Sequence, residues 1–306
     1  LLVIVGDPSA GKSLWALDLA ACIATGNEHH GRSVRPGPVH FIAGEGHNGI
    51  SRRLLAWSIA NDQELNEAPL YVSEMAARIG DQVNTAAVLK AIEETGEKPS
   101  LVVLDTLNRN MAGDENNSAD MGAFIACCDE IRAAYECTVA LVHHTGHGDK
   151  TRARGSSVLH GAIDTTYLVQ KDPAGIVRVS CTRMKDGPIP DPFAFRLKSI
   201  DLGFKNEDGS EATSAVLVTC GVPETRQKAS GKHQGPALDM LKKLRDEHGS
   251  RLQESGNDPT QAKVRRDDWR SACLKSGIAA NRFAEVESSL EQKGLITRDG
   301  LYVAPT

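Results

Sequence analysis

The sequence has no apolar run approaching the ~20 residues that a membrane-spanning helix requires. None of its seven cysteines, at 22, 127, 128, 137, 181, 220 and 273, forms a C-x-x-C pair. The first absence excludes a transmembrane helix. The second argues against a disulfide framework or a cysteine zinc site and suits a reducing cytosol. No repeat or low-complexity tract is visible, and no signal peptide is expected, because Leu1 already lies in a strand pattern. A cytoplasmic location without membrane attachment is the expectation. Position 1 is not Met, which suggests further sequence upstream. Nor is the charge extreme, since a net −5 over 306 residues does not announce a nucleic-acid binder. It is uneven, however: residues 228–306 carry 14 Lys and Arg against 11 Asp and Glu, a balance of +3 that leaves −8 elsewhere. That permits a nucleic-acid contact in the tail and does no more.

What is present is a globular composition, 40% hydrophobic and 25% charged, with length for one large domain and one small one. The organising stretch is the opening. Leu1-Leu2-Val3-Ile4-Val5 leads into Gly6-Asp7-Pro8-Ser9-Ala10-Gly11-Lys12-Ser13, and Leu14 begins an amphipathic run. Strand, G-x-x-x-x-G-K-S and helix in that order make a phosphate-binding loop. Its glycines let backbone amides wrap an anion at the helix start. Lys12 is placed for the β/γ-phosphates and the Ser13 hydroxyl for Mg²⁺, so ATP and Mg²⁺ are the expected ligands.

Further along, residues 39–43, 70–72, 101–105 and 138–142 read as strands, and residues 50–60, 84–96 and 120–137 as helices. Strands alternating with helices, several apolar on both faces, predict an α/β fold with a covered parallel sheet. From Thr165 short strands at hairpin spacing (167–169, 176–180, 193–197, 215–219) predict antiparallel edge strands extending that sheet. Residues 223–235 are polar and unpatterned, a linker between an ATPase domain at 1–222 and a small α+β domain at 236–306. In the latter, helices at 236–248, 267–276 and 280–293 precede a hairpin, which is the element order of a winged helix.

The candidate chemistry sits at strand ends. Asp105 closes a second buried apolar strand, where an acid that holds Mg²⁺ through its water shell is expected, unless it merely caps the strand. Thr106 follows it, so a water-orienting base has to come from elsewhere. Glu45, between Gly44 and Gly46 at the end of the strand after the phosphate-loop helix, is the candidate; a solvated turn acid is the competing reading. His143 and His144 end a third strand on opposite faces, and His144 is chosen as reporter of the γ-phosphate over a core or zinc-binding role. Two polar loops follow, residues 109–118 and 146–157. The second carries Lys150, Arg152 and Arg154, a basic set suited to single-stranded DNA or simply to solvent. Arg183 and Lys185 emerge together from an extended segment. In a ring they would act as a finger and its companion on a neighbour's phosphate; in a monomer they are surface charge.

Taken together, residues 6–13, the Pro36-Gly37-Pro38 connector, 39–46, 101–107, 141–144 and Arg154-Gly155-Ser156-Ser157-Val158-Leu159 run in the order of the RepA-type hexameric plasmid helicases. The resemblance covers residues 1 to about 200. It implies a RecA-like core, a hexameric homo-oligomeric ring, ATP hydrolysis between subunits and single-stranded DNA in the channel. Carried over residue by residue, Lys12, Ser13, Glu45, Asp105 and His144 keep the roles given above. The family's finger arginine is matched here by Asp164, which cannot act as one. Residues 183–188 instead resemble the finger segment of DnaB-type helicases, so the finger moves to Arg183 with Lys185, and Arg154 is the fallback. The expectation is an ATP-driven DNA motor, a replicative helicase of a plasmid, phage or integrated element, with a replication initiator or primase as partner. A nucleotide-switched DNA-binding regulator and a RecA-like recombination or repair ATPase are the alternatives.

Overall fold

The structure is a computed structural model that describes residues 1–44, 46–146, 153–221 and 233–305, with residues 47 and 48 as backbone only. It divides into two units, Leu1–Pro223 and Glu224–Thr306. Among the described residues no helix is long and apolar enough to cross a membrane.

The first unit is built on a nine-stranded sheet in the order β3-β2-β4-β5-β1-β6-β7-β8-β9. Its strands are β1 (Leu2–Gly6), β2 (Val39–Ala43), β3 (Leu70–Val72), β4 (Leu101–Asp105), β5 (Thr138–His144), β6 (Thr165–Lys171), β7 (Val177–Met184), β8 (Phe193–Lys205) and β9 (Glu211–Thr219). The helices between them are α1 (Lys12–Thr25), α2 (His47–Asn61), α3 (Gln82–Glu94), the single turn α4 (Leu107–Asn110), α5 (Ser118–Tyr135) and α6 (Ser157–Ala162). Alternate residues of the central strands feed two cores. Val3, Val5, Val102, Leu104, Val139 and Leu141 pack with α5 on one face. Ile4, Leu101, Val103, Ala140 and Val142 pack with α1 on the other. Burial on both faces is why these strands read as unbroken apolar runs.

Three sequence expectations need correction here. β6 is not an antiparallel edge strand: it lies parallel to β1, with Gly6 opposite Val169. The crossover through α6 returns the chain in the direction of β1, and antiparallel pairing starts only at β7. α1 is not amphipathic, because Trp15, Ala16, Leu17, Asp18, Ala20, Ala21 and Cys22 are all buried. It is covered by α2 and the antiparallel strands as well as by the sheet. Finally, α6 and α4 were not foreseen, being too short to carry a period.

The second unit holds α7 (Gln234–Glu254), α8 (Arg266–Lys275), α9 (Ala280–Gln292) and a three-stranded sheet, β10 (Val264–Arg265), β12 (Tyr302–Pro305) and β11 (Ile296–Asp299). Trp269, Phe283, Leu241, Leu290 and Val303 form its core. α7 begins inside the expected linker, most of which lies outside the described residues. It also runs on past residue 248. Gly249 lies buried within it, and an added Cβ there would meet the Pro259 carbonyl at 3.4 Å, an ordinary contact.

Candidate phosphate-binding site

The loop from Asp7 to Gly11 joins the C-terminal end of β1 to the start of α1, at the centre of the sheet. Ser9 (φ 60°) and Gly11 (φ 102°) take left-handed backbone, which turns the chain tightly into the helix. At Gly6 an added Cβ would lie 2.3 Å from the Val169 carbonyl oxygen. Only glycine lets β1 pass β6 at that point. α1 has no side-chain cap among the described residues and no acid in its first turn, so its leading amides are turned toward the loop.

The strand register then brings distant residues to this loop. β5 lies beside β1 with His144 opposite Gly6. Lys12, only 5% exposed, donates from Nζ to the Asp7 carbonyl at 2.8 Å and stands 3.3 Å from His144 Nδ1. Thr145 Oγ1 donates to Asp7 Oδ1 at 2.5 Å. Lys12 is thus held over its own loop, with the His144 ring beside its ammonium group. A recess of about 490 Å³ adjoins the loop, bordered by residues 7–10 and 168–173.

Asp105 ends β4, level with Ala43 of β2 and Val142 of β5, and is buried. Its carbonyl accepts the Gly44 amide at 2.6 Å, and its peptide bond to Thr106 is cis. Glu45 lies outside the described residues; its neighbour Gly44 is held at the β4 end by that hydrogen bond. A nucleoside triphosphate with Mg²⁺ fits these donors. The open amides and Lys12 would take phosphate oxygens, and Ser13 and Asp105 would hold the metal. The ion, when bound, supplies positive charge to the phosphate oxygens.

His143, on the opposite face of β5, is fully buried, and its Nε2 lies 3.0 Å from the Arg154 carbonyl. Burial pushes its pKa down to about 4; the attraction of Glu115 and the backbone contact act the other way.

The two polar loops are joined at their bases. Glu115, 7% exposed, sits 2.6 Å from Arg154 Nε and accepts from Asn108 Nδ2 at 3.0 Å. Its carbonyl accepts the Ser156 amide at 2.9 Å. Arg154, expected to face DNA or serve as fallback finger, is paired with an acid of the same chain. Lys150 and Arg152 lie outside the described residues. Arg183 and Lys185 are exposed, on β7 and just after it. Arg183 pairs with Thr166, which is level with Val3, and it donates to the His160 carbonyl at 2.7 Å. Lys185 stands 3.5 Å from Asp164. Both lie toward the end of the sheet opposite the phosphate loop.

Sequence reasoning missed Asn110, Glu115 and Thr145. Asn110 is fully buried and bonds Ala77, Ile42 and Thr106 backbone, tying β2 and β4 together beside Asp105. An Asn in a polar loop gives no sign of this. For Glu115 the only signal was an acid in a loop facing a basic one.

Fold and site together place a phosphate-binding loop, Gly6 to Ser13, at the end of a central strand of a mostly parallel α/β sheet. Residues 1–150 match the family described as AAA domain. A solved structure similar to the chain is that of the RadB recombinase, 17% identical, with a TM-score of 0.48 over 65% of this chain and 87% of that one.

Proposed function

We propose that this chain is an ATP-driven DNA motor, a ring-forming replicative helicase that hydrolyses ATP between subunits and moves on single-stranded DNA. One observation carries the reading. The exposed pair Arg183 and Lys185 stands level with the start of β1, whereas the phosphate loop leaves its end, with Gly6 opposite Val169. A site that uses those cations has to take them from a second copy of the chain. In this scheme Lys12 and the loop amides hold the phosphates, and Ser13 and Asp105 hold Mg²⁺. Glu45 aims the attacking water. His144, in contact with Lys12, passes the state of the γ-phosphate to the loop that follows β5.

Two inactive variants test this directly. Lys12→Ala removes the phosphate contact and Arg183→Ala the borrowed charge, so each alone abolishes ATP hydrolysis. Mixed, they restore part of it, because an intact loop from one copy meets an intact finger from the other. Hydrolysis in the unmodified protein rises with single-stranded DNA, and the particle mass is that of a ring. A monomer indifferent to DNA refutes the motor.

The second unit favours another reading. Its order α7-β10-α8-α9-β11-β12 is that of a winged helix, which suits a nucleotide-switched regulator bound to duplex DNA. Against it, Arg282 on α9 is paired with Glu285, and Glu291 on the same helix faces Arg298. Slow turnover with tight duplex binding, lost on removing residues 236–306, would favour the regulator. Open filaments with DNA would favour a RecA-like recombination or repair ATPase.

A further inference from the structure

Away from the phosphate loop, three donor side chains meet at one point. Asp18 of α1 turns Oδ2 toward His29 and His30, whose Nε2 atoms lie 3.0 and 2.7 Å from it. The three donor atoms all fall within 4.8 Å of one another. The backbone is shaped for this meeting. His29 and Arg32 exchange both N–H···O bonds, and positive φ at His30 (52°) and Gly31 (79°) makes a type I′ turn. Adjacent side chains ordinarily diverge. The left-handed His30 instead brings its ring within 4.8 Å of the His29 ring.

Hydrogen bonding does not exhaust the cluster. His30 is in hydrogen-bond geometry with Oδ2. His29 Nε2 is aimed at the same oxygen without such geometry and has no hydrogen-bond partner among the described residues, although the residue is 4% exposed. A buried ring nitrogen left in that state is costly. The surrounding partners are those that orient ligands. Trp57 Nε1 donates to Asp18 Oδ1 at 2.9 Å, which leaves Oδ2 as the inward atom. His30 Nδ1 stands 2.9 Å from Thr219 Oγ1 on β9. When that hydroxyl accepts the Nδ1 proton, Nε2 turns a lone pair on the carboxylate, an arrangement that a cation between them resolves.

We propose that Asp18, His29 and His30 form a structural site for a divalent transition-metal ion of the zinc class, pinning the phosphate-loop helix to the antiparallel end of the sheet. Two imidazole nitrogens and one carboxylate oxygen suit zinc rather than magnesium. Metal bonds of about 2.0–2.2 Å set tetrahedral donors roughly 3.3 Å apart, so the two nitrogen–oxygen contacts of 3.0 and 2.7 Å widen by about 0.3 and 0.6 Å, and the two imidazole nitrogens, already within 4.8 Å of each other, settle at the same spacing. The site is independent of the motor reading.

The test uses the full chain, free of tag and nucleotide, stripped with a chelator and titrated with Co²⁺ and then Zn²⁺. The expected result is one Co²⁺ per chain with visible ligand-field bands, displacement by Zn²⁺, and a raised thermal midpoint. In the double variant H29Q/H30Q, Co²⁺ affinity falls by roughly 100-fold or more. The wild-type titration stands whether or not that variant folds. A wild-type protein without bands, or bands that persist in a folded double variant, overturns the site.

Discussion

Glu115→Gln removes one charge and almost no volume from the junction of the two polar loops. Glu115 is 7% exposed, and its carboxylate meets Arg154 at 2.6 Å and Asn108 at 3.0 Å. Removing one partner of a fully buried ion pair costs about 3–5 kcal/mol, whereas an exposed pair contributes roughly 0–1 kcal/mol. The Arg154 side chain is 33% exposed, so water screens part of the loss. The expected cost lies between the two limits, at about 1–3 kcal/mol. For a unit of this size each kcal/mol shifts the midpoint by about 2–4 °C, so Tm falls by about 4–8 °C for a mid-range loss. Calorimetry and denaturant titration measure it. A double-mutant cycle with Arg154→Met then isolates the pair, with an expected coupling of about 1–2 kcal/mol. If Glu115→Gln is as stable as wild type, or the coupling vanishes, the carboxylate does not hold the loops together. Arg154 would then be available to DNA after all.

Gly6→Ala places a Cβ against the Val169 carbonyl, a backbone atom that cannot rotate away; destabilisation above ~3 kcal/mol and loss of fluorescent-nucleotide binding are expected. Asn110→Ala takes the acceptor from the Ala77 amide and one donor from the Ile42 carbonyl, while the Thr106 carbonyl keeps the Arg109 and Asn110 amides; the expected loss is about 1–3 kcal/mol for a group left unsatisfied, read from the denaturant midpoint. His143 is kept neutral by burial, with a pKa near 4 against an ordinary 6.5; Glu115 pulls the value up, and the charges of Arg154 and His144 push it down. The unfolded chain takes up that proton first. Stability is therefore full above pH 6.5 and is lost as pH falls from 6.5 toward 4. His143→Asn flattens that part of the stability profile, and an unchanged acid slope would show that other groups carry it.

The sequence by itself determined the elements whose signal is local. The phosphate loop needs glycines, Lys12 and Ser13 at fixed offsets between a strand and a helix, so eight consecutive positions defined it. The central strands announced their burial on both faces by running apolar without alternation, and Asp105 was marked by standing where such a run stops. Tertiary structure decided everything that depends on strand order. β6 has the same residue pattern whether parallel or antiparallel, and its direction follows from a crossover that only the folded chain displays. Lys12 and His144 touch because β5 was laid next to β1. Glu115 and Arg154 pair because two loops leave the sheet at one edge. Asp18, His29, His30 and Thr219 converge because α1, a left-handed turn and β9 pack together. Periodicity reports which face of an element is buried, but not which other element covers it, and side-chain chemistry between distant positions is set by that second fact.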